Sequence, residues 1–329
     1  MAYNQRVMRA PFKLALILAM ATLFLSAAGR AQGLAQQALS VFPSDTLQLA
    51  YTDLSTLRDL PNYAAIRQAL FTRQMRAFSD FLQAMGNDPD EDVSEVVMGW
   101  RGAAGDAPGF FGIATGQFHP NQAASYVKRS RLPQLTYQGY NLDTFGSGQD
   151  PADLYFAFLS ADMAVFGHLK DVKAMLDAWS GSAPALDSNK NMTNWEAEME
   201  NSGPQWGITT GKSAASLIAP WLLGAASSQQ KALTDFLAPV RAVLYHVDWQ
   251  SDFTLGLSIV CDQPAQASAF AQLLSLWRDS QKAGASSSAQ AVNSFISGMQ
   301  ISSDGNRVEV SGSGPANLVA LFFSGGGAH

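Results

Sequence analysis

FGIATGQFHPNQAASYV, residues 111–127, and LGLSIVCDQPAQASAFA, residues 255–271, align without a gap. Gly112 falls on Gly256, Ile113 on Leu257, Pro120 on Pro264, Gln122 on Gln266, Ala123 on Ala267 and Tyr126 on Phe270, an offset of 144 residues. Each stretch reads as a strand, a proline in the first helical turn, and a helix. Proline is at home there because its missing N–H would have no helical partner.

The match continues outward in the same order. LQLAYTDLSTL (47–57) resembles QWGITTGKSAA (205–215), FSDFLQAMG (78–86) resembles LTDFLAPVR (233–241), VSEVVMGW (93–100) resembles VRAVLYHVDW (240–249), and LTYQGYNL (135–142) resembles QISSDGNRVEV (300–310). Self-similarity of this length points to a repeated unit. The division expected is a leader over 1–31, a first α+β repeat over 32–180, a connecting segment over 181–203, a second repeat over 204–323 and a disordered tail over 324–329. The fold class expected is α+β: two similar halves, each a mainly antiparallel sheet covered by helices on one face.

Periodicity supports this reading. Val243, Tyr245, Val247 and Trp249 share one face of a strand, as do Phe253, Leu255, Leu257 and Ile259, opposite Thr254, Gly256 and Ser258. That alternation belongs to a sheet with one buried face. Phe270, Leu273, Leu274 and Trp277 form a helical stripe able to cover it. Asp304-Gly305 signals a tight hairpin. LYFAFLSADMAVFGH (154–168) reads as an extra hairpin of the first half, followed by helix LKDVKAMLDAW. A short helix, NWEAEME, lies in the polar connection, and GAASSQQ and AGASSSAQA read as exposed loops.

The N-terminus carries Arg6, Arg9 and Lys13, no acid, and then the apolar run Leu14–Ala28. This is the pattern of a secretory signal peptide, with cleavage after Ala28 or Ala31. The run is shorter than the roughly 20 residues of a spanning helix. Export to the periplasm or the outside follows, with an uncleaved inner-membrane anchor as the alternative. The chain has 21 Lys and Arg against 27 Asp and Glu, and residues 1–31 hold four of the basic ones (Arg6, Arg9, Lys13 and Arg30), leaving about −10 beyond them. Such a balance argues against nucleic acid and against electrostatic docking on anionic lipid. Cys261 is the single cysteine, so no internal disulfide holds the fold.

Motifs that carry chemistry are weak. Gly211-Lys212-Ser213 resembles the end of a phosphate-binding loop, but the leading glycine belongs at 206, which is Trp206. Lys212 is therefore expected to be an ordinary surface lysine. Two S-x-x-K matches lack the partner elements of a serine acylase. The residues worth testing as a site are His246 and Asp248, two apart on one strand, together with Asp252. None forms a recognised catalytic or metal-binding pattern, and no catalytic residue, metal or cofactor is expected.

VFPSDTLQLAYTDLSTL (41–57), the passage from FSDFLQAMG to VSEVVMG, the helix start Gly116-x-Phe118-x-Pro120-Asn-Gln-Ala and the hairpin end LDTFG (142–146) resemble a loose group of exported bacterial proteins with duplicated α+β halves and no assigned function. The resemblance covers most of the chain beyond the leader. It implies export and a non-enzymatic role, and it carries over no site residue. The function expected is a non-catalytic binding or scaffold protein of the bacterial envelope, with an unknown protein as partner. The alternatives are a carrier of a hydrophobic ligand, lipid or peptide, in a groove between sheet and helices, and a hydrolase built on His246 with Asp248 or Asp252.

Overall fold

The computed structural model describes residues 33–60, 63–64, 67, 73–102, 110–211, 214, 237–249, 252–280, 287–316 and 318. The leader (1–31), Lys212, GAASSQQ and the tail (324–329) lie outside them. Twelve strands form one antiparallel sheet. They are β1 (Gln48–Asp53), β2 (Val93–Trp100), β3 (Phe110–Gly116), β4 (Gln134–Tyr137), β5 (Tyr140–Phe145), β6 (Leu154–Phe158), β7 (Met163–His168), β8 (Gln205–Thr210), β9 (Val240–Asp248), β10 (Phe253–Cys261), β11 (Gln300–Asp304) and β12 (Arg307–Gly314). Their order is β11-β12-β10-β9-β8-β1-β2-β3-β7-β6-β5-β4.

The expected α+β class is present, but the two halves do not keep separate sheets. β1 and β8 pair antiparallel at the centre, Leu49 opposite Ile208 and Tyr51 opposite Trp206, and fuse them into one. Outward from that pair the order is β1-β2-β3, then the β7-β6 hairpin, then β5-β4 on one side. On the other side it is β8-β9-β10, then β12-β11.

Residue by residue, the 144-residue offset does not fit this sheet. Ile113 lies opposite Val97, which lies opposite Tyr51, and packs in the same cluster as Leu49 and Leu244. Leu257 lies opposite Tyr245 and packs in the cluster on the other side. The offset therefore pairs residues on opposite faces. A slip of one position flips every side chain of a strand, so a correspondence that keeps the faces must shift by an odd number of residues.

Nine α-helical segments among the described residues cover the sheet. The first face carries α1 (Leu34–Val41), α6 (Leu169–Trp179) and α7 (Lys190–Met199), packed on Leu49, Val97, Ile113, Val165, Trp206 and Leu244. The opposite face carries the remaining six: α2 (Leu54–Arg58), α3 (Arg73–Ala84), the single turn α4 (Pro89–Asp92), α5 (Pro120–Ser130), α8 (Pro264–Ser280) and α9 (Ser287–Gly298). Of these, α3 and α5 cover the first half and α8 and α9 the second.

Several elements sit where the sequence puts them. Asp53 caps α2 by accepting from the N–H groups of Ser55 and Thr56. Pro120 and Pro264 open α5 and α8. Phe270 and Leu274 of the α8 stripe are buried. Two details differ. AGASSSAQA is not a loop throughout, because Ser287 already starts α9, whose Phe295 is buried against the sheet. The β11–β12 turn is Gly305-Asn306, with Asp304 paired to Arg307; Gly305 takes φ 52°, and the Asn306 amide donates to the Cys261 carbonyl at 2.9 Å.

Candidate functional site

Among the described residues, helices roof the first face only as far as β9. Beyond α7, the outer strands β10, β12 and β11 turn bare polar side chains outward. The cause is local. In β10, Phe253 and Ile259 are buried towards α8 and α9, which leaves Thr254, Gly256 and Ser258 on the other side. In β12, Val308 and Val310 are buried while Glu309, Ser311 and Ser313 are exposed.

These strands floor a cleft of about 490 Å³. Glu198, Met199 and Ser202, at the end of α7 and just beyond, line it, as do Gly298 and Gln300. No Phe, Tyr or Trp is among its lining residues.

His246 lies across the floor. Its cross-strand partner is Gly256, and a Cβ on Gly256 would fall 2.1 Å from the imidazole Cε1. The ring thus occupies the space that the glycine leaves, a known way of covering a strand glycine. Burial is the largest influence on the imidazole and holds its pKa below the ordinary value, against the opposing pull of Asp248 and Glu309. Gly256→Ala should push the ring off the floor into water and raise the His246 pKa. An NMR titration of the imidazole carbons checks this; an unmoved pKa would mean that the ring does not rest on the glycine.

Two pairs of polar groups are committed to one another. The Ser258 hydroxyl donates to Glu309 Oε1 at 2.8 Å. Arg307 holds Glu198 with two contacts, Nη1 to Oε1 and Nη2 to Oε2, the second at 2.8 Å. This pair bridges β12 and α7 at one end of the cleft. Hydrogen bonding to Glu198 leads the influences that raise the Arg307 pKa.

The structure brings His246 and Asp248 together on one face, as their spacing requires, and adds Glu309. Asp252 is exposed between β9 and β10 and is not among the charges acting on His246. Sequence reasoning missed Ser258, Glu309, Arg307 and Glu198. The alternation in RVEVSGS carries the signal of which β12 residues share a face; only the strand register shows what they face. A serine nucleophile needs its hydroxyl on a base such as histidine. Here the Ser258 hydroxyl donates its hydrogen bond to a carboxylate, and it lies opposite Leu244 in the ladder rather than opposite His246. Cys261 is buried, and burial pushes its thiol up.

A second polar cluster lies at the start of α6. Arg101 Nη1 reaches Asp171 Oδ1 at 3.3 Å, and Arg101 also pairs with Asp45 at 2.8 Å. Asp171 is 2% exposed, and His168 Nδ1 stands 4.0 Å from its Oδ2. Neither of those two atoms has a hydrogen-bond partner among the described residues. Burial is the largest influence on Asp171 and raises its pKa. Among the described residues, no three His, Cys, Asp or Glu side chains are grouped to hold a metal ion. No described helix is long and apolar enough to cross a membrane.

No protein-family model matches the chain, and no curated protein matches it significantly. Solved structures do. Crystal form I of TP0453, a Treponema envelope protein of unknown function, aligns over 87% of this chain and 96% of its own, with 12% identity and a TM-score of 0.49. Crystal form III aligns over 87% of this chain and 98% of its own, with 11% identity and a TM-score of 0.49.

Proposed function

We propose that this is an exported, non-catalytic binding or scaffold protein of the bacterial envelope, and that it engages the polar surface of a partner protein at the cleft beside α7. The observation that supports it is the bare stretch of the first face. Helices roof both faces of the first half, yet β10, β12 and β11 keep a floor of hydroxyl, carboxylate and imidazole groups open beside α7. An antiparallel sheet tolerates one solvated face, and a concave one with converging polar groups is a default binding site.

The committed Ser258 and Arg307 favour binding over hydrolysis. A hydrophobic carrier calls for an apolar cavity rich in Phe, Tyr and Trp, and none of these is among the lining residues of this cleft. The basic, then apolar, leader supports export, and the strand order on the two sides of β1–β8 supports two related halves. The test is photo-crosslinking in living cells from Ser311 on the floor, with Gln272 on the exposed side of α8 as control. A discrete protein adduct from Ser311 and none from Gln272 is the expected result. Equal labelling from both positions, or none, would remove the proposal.

A further inference from the structure

Helix α7 ends in acids: Glu196 and Glu198 in its last turn, and Glu200 immediately after. The helix dipole disfavours negative charge there. Glu198 is answered by Arg307, but Glu196 has no such answer. It lies on the sheet-facing side with Met192 and Met199, is 4% exposed, and receives no side-chain hydrogen bond from a described residue.

The elements packed against α7 bring no cation to Glu196. β8 (QWGITT) and α1 (LAQQALSV) contain no charged residue. The short turn Leu186–Ser188 offers only Asp187. On β9, Arg241 is taken by Asp262, His246 lies on the cleft floor and Asp248 is negative. Lys190 is at the far end of α7. Burial first, and the charge of Glu200 second, push the Glu196 carboxyl up to about 7.

We propose that α7 is a proton-controlled wall of the cleft: with Glu196 protonated the helix is seated on the sheet, and loss of that proton frees its last turn and draws Glu198, Met199 and Ser202 away from the floor. This rests on the reading of the cleft as the binding surface. The direction follows from linkage. A seated helix keeps the Glu196 proton up to about pH 7, whereas a freed one releases it in the ordinary carboxyl range near pH 4.3. Seating is therefore strongest at low pH, weakens as pH rises between those values, and is weakest above pH 7.

The test is hydrogen exchange, read by mass spectrometry on the ligand-free protein, following the segment 190–203 from pH 5 to pH 8 with intrinsic rates corrected. Protection should fall at least about tenfold, since each unit of pKa displacement is a tenfold change in the seating equilibrium. In Glu196→Gln and in Glu196→Met the protection should stay level across that range. The second variant keeps an apolar side chain of similar length, in case the first packs badly. Constant protection in the native chain, or an undiminished fall in both variants, would overturn the proposal. Crosslinking from Ser311 is scored separately, so its failure would remove the binding reading while leaving the exchange result interpretable.

Discussion

Phe111→Ala should lower stability by about 4 kcal/mol, the middle of the range for losing a buried aromatic ring. Phe111 is fully buried in the middle of the sheet, edge-on to Phe42, the residue just after α1, at 5.0 Å between ring centres. Two glycines make its room. A Cβ on Gly99 would lie 2.5 Å from the ring, and one on Gly167 would lie 2.7 Å from the Phe111 Cβ. Both are in strands pinned by hydrogen-bonded neighbours on each side, β2 and β7, so the backbone cannot close over the gap. The cost of such a cavity grows with how little the site collapses. Urea denaturation should show a lower midpoint with an unchanged slope. A loss under about 1.5 kcal/mol would mean that α1 and Phe42 refill the space.

Arg101→Ala should cost about 3 kcal/mol, because it removes the cation facing a carboxylate that water barely reaches. The loss should depend on pH. Burial already raises the Asp171 pKa, and Arg101 is among the groups that restrain it. Without that cation the folded-state pKa climbs further above the unfolded one. Stability contributed by the protonated form is complete below the unfolded pKa and drains away as pH rises through the folded one. The variant should therefore be closer to the native protein at pH 5 than at pH 8. Adding Asp171→Asn should recover part of the loss at pH 8. An equal deficit at both pH values would show that Arg101 acts through packing alone.

The local features were open to reading because each lies within one short window. Alternation in 253–259 showed which side of β10 is buried, the stripe from Phe270 set the face of α8, and LYFAFLSADMAVFGH gave the β6–β7 hairpin almost residue by residue. What a single strand does not carry is its partner. Nothing in LAYTD or QWGITT states that the two will lie side by side, and their pairing turned two expected sheets into one. The same gap hid the cleft: Glu198, His246, Ser258, Glu309 and Arg307 come from four elements, and only the register gathers them. The repeat was inferred from matching letters, and such letters survive a one-residue slip that reverses every side chain. Of the candidate residues, the pair two apart on one strand was legible. Asp252 was not, because a turn residue has no face to read.

The β1–β8 pair also sets a schedule for assembly. β1 and β2 can zip together soon after both are made, but the other side of β1 must wait for a strand that lies about 150 residues further along the chain. Until β8 arrives, a folded first half would show two raw margins, β4 at one end and β1 at the other. Open strand margins recruit other chains, and pairings between distant segments form slowly. The most vulnerable moment of this chain is thus a half-finished one. A truncation before residue 204 should be sticky and insoluble, even though nearly all of the first half's own core is present.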